Sequence, residues 1–481
     1  MKREKSALFG ASSMVAASIF RAILQIIVLP IVGRFLGPEI YGQVAMVTPF
    51  IFFAMLLAES GLGACLIKAD DASPGLQGTI FTFSAALSIA IIFLFALVAY
   101  PLGHLLHDPG FPPLLIGMSC ILFFASLNIV PAGLLLRDKQ YGWIALSDVV
   151  SSFCSLCGVG AGIYLGWGAW SLVAQQAALW LGKVAVVAWG ARWRPRFLFS
   201  QSLFMENIRF GSNQTASGIL SFIARNIDNL LIGRYLGTTF LGYYALAFQI
   251  VGLPGSVLSG SAYYAVFSQT GESVRAKAYS GAFFIKILRS VALIGAPAMV
   301  GMVATAPLTI ALLMGANWLP AIGLIALLAP FGFCQIVTPP VYGVLMGFGR
   351  ADLTLKLGMV VSLLTIAAIV AGVCVSGGAV AFGVSVTAVI GYWLSLRVLV
   401  KRYDVKWKEI ASALFIPLFT ALIMGGAVYA FQTILIPDGA LSLRLILSVA
   451  LGVILYGALM LGLFRAHVEQ DLLALRSVLA T

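Results

Sequence analysis

Charge is scarce in this chain. Only 10% of its 481 residues are Asp, Glu, Lys or Arg, against roughly a quarter in ordinary soluble domains, which excludes a conventional globular fold. There are 17 acidic residues and three histidines, His104, His107 and His467, and the histidines form no metal-ligand constellation. A Gly-x-x-x-x-Gly-Lys-Ser/Thr phosphate loop is also missing, which argues against direct ATP hydrolysis. The six cysteines lie inside or at the edges of hydrophobic stretches, so the spacing is not that of a secreted disulfide framework. Cys154-x-x-Cys157 has redox or zinc spacing but no second pair and no nearby histidine, and it reads as apolar packing.

Apolar residues fill the space that charge leaves. They make up 61% of the chain, and the mean hydropathy is +1.03. Fifty glycines and nineteen prolines suit membrane helices, which tolerate both better than soluble helices do. The formal charge of +12 sits between apolar runs, where anionic lipid heads and topology account for it and nucleic-acid binding does not. The start, Met1-Lys2-Arg3-Glu4-Lys5, imitates a signal peptide. The apolar stretch behind it contains Arg21 and runs on past residue 30, so it reads as a first membrane span.

A helix needs about 20 residues to cross the hydrocarbon core. Apolar stretches of that length fall approximately at 10–33, 41–66, 77–102, 112–136, 143–165, 168–190, 209–233, 240–267, 281–304, 319–346, 354–375, 378–398, 409–431 and 441–464. This predicts an all-α polytopic membrane protein of about fourteen spans, with twelve as the alternative if two form a re-entrant pair. With the N-terminus inside, the cytoplasmic segments collect the basic residues, from Lys2, Arg3 and Lys5 through Arg192, Arg194 and Arg196 to Arg465 and Arg476. The external segments hold only Arg34, Arg234 and Arg444. Both termini are therefore expected in the cytoplasm, and no loop is long enough for an extramembrane domain.

Gly33-Arg34-Phe35-Leu36-Gly37, followed by Gly42 and Ala45, returns 200 residues later as Gly233-Arg234-Tyr235-Leu236-Gly237, followed by Gly242 and Ala245. A shift of six spans keeps the two copies in the same orientation. The expected organisation is a lobe of helices 1–6 (residues 1–200) and a lobe of helices 7–12 (201–400). Helices 13–14 and a cytoplasmic tail (401–481) follow. A chance match in a glycine-rich chain is the competing explanation.

Asp228-Asn229-Leu230-Leu231-Ile232-Gly233-Arg234-Tyr235-Leu236-Gly237, then Leu241-Gly242-Tyr243-Tyr244-Ala245, resembles a pattern of the polysaccharide transporters. These are the O-antigen and exopolysaccharide repeat-unit flippases of the multidrug/oligosaccharidyl-lipid/polysaccharide flippase superfamily. Gly315-Ala316-Asn317-Trp318 and the segment from Pro131 to Arg137 are similar to further family features. The resemblance spans nearly the whole chain, but it rests on packing and turn motifs, which do not name a cargo. It implies outward flipping of an undecaprenyl-pyrophosphate-linked oligosaccharide across a bacterial inner membrane by alternating access. No catalysis and no cofactor are implied, and polysaccharide polymerase and export machinery are the expected neighbours.

Ionisable groups inside spans cost on the order of 2.5–3.5 kcal/mol each, so they mark candidate sites. Arg21 and Gln25 share one face of the first span with Ser18. In the seventh span, Gln214, Ser217, Ser221, Arg225, Asp228 and Asn229 form a long polar stripe. Arginine's planar fork suits a pyrophosphate, so Arg21 and Arg225 are expected to hold it, with Gln25, Gln214, Ser221 and Asn229 beside them. The competing assignment pairs Arg225 with Asp228 as a neutralised buried couple. Glu59, Asp148 and Asp228 are the candidates for coupling or gating with a proton or sodium ion. Asp148 also fits a helix-terminal role at the membrane edge, and Lys183 is expected to snorkel to the cytoplasmic interface.

The rival functions within the superfamily are a cation-coupled multidrug exporter and a peptidoglycan-precursor flippase. From another class the rival is a membrane glycan polymerase or ligase. Such enzymes carry a long external loop with catalytic residues, and this chain has none. Paired arginines favour an anionic cargo over a cationic drug.

Overall fold

The computed structural model describes residues 2–59, 62–68, 73–205, 226–435 and 440–479, and every regular element among them is helical. The helices are α1 (Lys2–Glu59), α2 (Leu62–Lys68), α3 (Pro74–Leu106), α4 (Phe111–Ser119), α5 (Ile121–Arg137), α6 (Tyr141–Tyr164) and α7 (Trp170–Gly190). After a helical segment at 226–236 come α8 (Thr238–Arg275), α9 (Ala282–Leu313), α10 (Ala321–Gly347), α11 (Ala351–Val373), α12 (Gly377–Arg402), α13 (Trp407–Ala430) and α14 (Leu441–Leu479). Twelve helical stretches among the described residues are long and apolar enough to cross a membrane.

The expected first and second spans are the two parts of α1, which breaks at Gly37 (φ 74°, ψ 172°). That backbone conformation is essentially open to glycine alone, and the following Pro38 disfavours the helical conformation at residue 37. Most of the expected seventh span lies outside the described residues. Its end, 226–236, leads to a second positive-φ glycine, Gly237 (φ 84°). The chain's contacts fall into two compact units, Met1–Gly242 and Tyr243–Thr481.

In the first unit, small residues let α6 and α7 pack backbone to backbone, as membrane helices do when no hydrophobic force drives them together. A Cβ on Gly158 would stand 2.8 Å from the Ala174 carbonyl, and one on Gly182 would stand 2.8 Å from Cys154 Sγ. Cys154 is thus packing, and Cys157 is exposed. The segment after α7 is fastened along α3. Thr82 Oγ1 donates to the Leu198 carbonyl (3.1 Å) and the Ser200 amide donates to Thr79 Oγ1 (3.1 Å). Phe197 packs against Phe81 with ring centroids 5.2 Å apart, and Phe204 against Phe83 at 4.6 Å, both pairs tilted.

The turn between α3 and α4 carries a buried carboxylate. Asp108 Oδ1 accepts from the Gly110 amide at 2.8 Å, while Oδ2 is buried without a hydrogen-bond partner. Burial raises the Asp108 pKa, two backbone N–H groups oppose the rise, and Glu39 adds to it. A carboxyl raised on folding favours the protonated native state, so stability falls as pH rises from the unfolded to the folded pKa. Asp108→Asn keeps the acceptor and removes the charge. Its expected effect is a melting temperature higher by about 1–2 °C at pH 7.5 in detergent, with the gain vanishing near pH 4. A lower melting temperature at both pH values would contradict this account.

In the second unit, α8 and α10 run side by side. A Cβ on Gly343 would stand 2.8 Å from the Tyr263 carbonyl, and Ser259 Oγ donates to the Gln335 carbonyl at 2.8 Å. Tyr456 OH on α14 donates to the Leu293 carbonyl of α9 at 2.9 Å. Tyr279, Phe348 and Tyr403 clasp three connecting loops, with ring centroids 4.7 and 4.3 Å apart. Burial, with Asp404 nearby, pushes the Tyr279 hydroxyl up to about 12. α11 is peripheral: only Ile369 and Gly372 are buried, and it leans on α12 where Gly391 meets Val361 and Gly383 meets Ala368.

Candidate functional site

The charges inside the first unit gather toward one end. Asp148 on α6 and Lys183 on α7 form an ion pair, Oδ1 to Nζ 2.9 Å, with side chains 18% and 25% exposed. The hairpin between the two helices brings them together, because Asp148 lies 16 residues before the end of α6 and Lys183 lies 13 after the start of α7. That puts them about 24 and 20 Å from the turn, on the basic-loop side. Lys183 therefore does not snorkel alone to the interface as the sequence suggested. Its ammonium is matched by the carboxylate and also lies 6.0 Å from the Trp180 ring centroid. Glu59, exposed at the end of α1, is close enough to feel the Lys183 charge.

Arg21 stands exposed on α1, and its neighbour Phe20 packs against Phe153 of α6 at 5.5 Å. It is 16 residues before the break at Gly37, or about 24 Å along the helix, a depth similar to that of the Asp148–Lys183 pair. Among the described residues Arg21 has no carboxylate partner. Four of the five charged candidates among the described residues of the first unit, Arg21, Glu59, Asp148 and Lys183, are thus drawn to the same end. The fifth, Asp228, is buried and its Oδ1 accepts from the Asn229 amide at 2.9 Å. Asn229 is half-buried. Gln214, Ser221 and Arg225 fall outside the described residues, as does the side chain of Gln25. Ser151 and Ser152 turn back to the Asp148 carbonyl of their own helix, at 3.1 and 2.6 Å.

At the opposite end, the two copies of the repeat meet. Gly42 packs on the Thr238 carbonyl, and Gly242 packs on the Pro38 carbonyl. Positions 38 and 238, like 42 and 242, are equivalent under the 200-residue shift, so the contact is reciprocal. A side chain at either glycine would overlap backbone atoms of the other copy. Gly233 adds a third close approach, where a Cβ would stand 2.6 Å from Met46 Cε. All of these residues belong to the unit Met1–Gly242.

Lys183 is the residue that the linear reading undervalued. The available signal is that two opposite charges stand at similar distances from a short turn between adjacent spans, which lets them pair where their helix faces meet. Reciprocity in the glycine contact was not legible, since equal spacing shows that two segments are alike and not that they touch.

A multi-pass helical bundle that keeps charge among apolar helices and joins two repeat copies at one end defines the class as a polytopic membrane protein. The chain belongs to the polysaccharide biosynthesis protein family, which its residues 31–323 match. It is similar to the teichuronic acid biosynthesis protein TuaB of Bacillus subtilis, 24% identical over 73% of each chain. It is also similar to the succinoglycan biosynthesis transport protein ExoT of Rhizobium meliloti, 27% identical over 63% of this chain and 62% of that one. The lipopolysaccharide biosynthesis protein WzxC of Escherichia coli is 24% identical over 87% of this chain and 86% of its own length. In fold, the chain matches an inward closed structure of the lipid II flippase MurJ with a TM-score of 0.76 at 15% identity, covering 94% of this chain and 99% of that one. An inward-facing MATE family multidrug transporter gives 0.63 at 17% identity, covering 79% and 95%. The chain thus shares the fold of these two solved transporters.

Proposed function

We propose that this protein moves a lipid-linked oligosaccharide repeat unit from the cytoplasmic to the outer leaflet of a bacterial inner membrane by alternating access. It does so without covalent chemistry on the cargo, and both of its termini are cytoplasmic. The observation that carries this reading is Arg21, an exposed guanidinium toward the charged end of an apolar helix with no carboxylate partner among the described residues. Such a group is costly in a membrane unless an anion or water meets it, and its fork matches the pyrophosphate that links lipid to sugar. Arg225, on the equivalent stretch of the second copy, is assigned the same role, with Gln25, Gln214, Ser221 and Asn229 as sugar-side contacts. Glu59 and Asp148, both within the field of Lys183, are assigned to coupling by a proton or sodium ion. Polymerase and export machinery would receive the product.

The test is translocation of a lipid-linked oligosaccharide in proteoliposomes, run beside efflux of a cationic dye. Arg21→Ala and Arg225→Ala are each expected to slow translocation by roughly 10–100-fold, the loss of one or two charge-assisted hydrogen bonds, with normal insertion. Arg21→Lys should retain part of the activity. Full activity in both alanine variants, or dye efflux with no lipid translocation, would remove the proposal.

A further inference from the structure

Away from the charged end of the first unit, the second unit carries an open pocket of about 500 Å³ lined by Trp393, Arg397, Lys401 and Trp407. Trp393, Arg397 and Lys401 are spaced at i, i+4 and i+8 on α12, so they form one stripe about 12 Å long. Trp407 opens α13 after a short reversal and closes the far wall. All four side chains are exposed. The Arg397 guanidinium lies 5.3 Å from the Trp393 ring centroid. Neither Arg397 nor Lys401 has an ion-pair partner among the described residues. The nearby Glu409 is engaged instead with the Lys406 amide at the start of α13.

Each part of this stripe has a match in one kind of molecule. Two indole rings at the end of a membrane span sit at the level of lipid headgroups. Two basic heads above them, on the side where the loops are basic, attract anionic lipid. The lower, indole-walled part of the pocket is apolar and offers a soluble anion nothing. A guanidinium 5.3 Å from an indole centroid, with no carboxylate partner among the described residues, has N–H donors to offer a phosphodiester.

We propose that this pocket binds the headgroup of an acidic glycerophospholipid from the leaflet on the basic-loop side. Arg397 and Lys401 hold the phosphate, and Trp393 and Trp407 flank the glycerol and the upper acyl chain. The site lies on the lipid-facing surface of α12 and α13 and is independent of the cargo assignment above.

The experiment is native mass spectrometry of the delipidated full-length protein titrated with dioleoyl phosphatidylglycerol, dioleoyl phosphatidylcholine or inorganic phosphate. One phosphatidylglycerol is expected to bind the unaltered protein about 30-fold more tightly than the Arg397→Gln/Lys401→Gln variant. Phosphatidylcholine should bind both weakly and alike. A second measurement locates the site and is read from single substitutions if the double variant folds poorly. Quenching of tryptophan fluorescence by bromine-labelled phosphatidylglycerol should fall in Trp393→Phe and in Trp407→Phe. Equal phosphatidylglycerol affinity in the unaltered and double-substituted proteins would overturn the proposal. So would unchanged quenching in both tryptophan variants, or displacement of the lipid by millimolar phosphate, which would mark a soluble-anion site.

Discussion

Gly242→Leu is expected to abolish transport while the protein still reaches the membrane, and Gly42→Leu is expected to do the same. Each glycine packs on a backbone carbonyl of the other repeat copy, at Pro38 and Thr238. Backbone atoms cannot swing aside as a side chain can, so any added bulk must push the two copies apart. If alternating access requires this end to close, the closed state is lost and the cycle stops. A cysteine placed at Thr238 should then label faster from the outer face in the Gly42→Leu background than in the otherwise unaltered protein. Alanine at either position should give a partial defect, graded with size. Undiminished transport in the leucine variants would mean that this contact is not part of the cycle.

Neutralising Lys183 is the second large effect. With Lys183→Met, the Asp148 carboxylate keeps its position on α6 but loses the ammonium 2.9 Å away. Removing one member of a buried pair costs about 3–5 kcal/mol, and less where water reaches the group, as it does in part here. Expression and thermal stability should fall clearly, and transport with them. Asp148→Asn combined with Lys183→Met removes both charges and is expected to recover most of the stability. The exchange Asp148→Lys/Lys183→Asp restores an ion pair but replaces the ammonium whose field reaches Glu59 with a carboxylate. Transport is expected to stay lost in the exchanged protein even where stability returns. Recovery of full transport by the exchange would reduce the pair to a structural fastening.

Much of the architecture was legible because the bilayer imposes simple constraints. Helix lengths follow from thickness, and against about fourteen expected spans the described residues hold twelve helical stretches long and apolar enough to cross a membrane. The helix break at Gly37 was harder to see. Pro38 announces a boundary, yet the helical runs on either side join so closely that two spans form one long element. The charged end was legible residue by residue but not as a group. Arg21, Glu59 and Asp148 stand out because each is costly in lipid, whereas Lys183, near the end of its helix, has the position of an interfacial lysine. The pocket between α12 and α13 was invisible for another reason: Trp407 joins the α12 stripe only through the reversal at Tyr403–Lys406, whose geometry the linear spacing does not carry.

The peripheral placement of α11 has a consequence for the surrounding bilayer. Its 23 residues make a rod of about 34 Å, a few ångströms longer than a typical hydrocarbon core. Held by α12 along one edge and bathed in acyl chains on the rest, it is the helix least able to resist a change in thickness. Shorter lipids should tilt α11 before they disturb any other helix of its unit, which makes the acyl length of the host membrane a variable that acts on this protein from its rim.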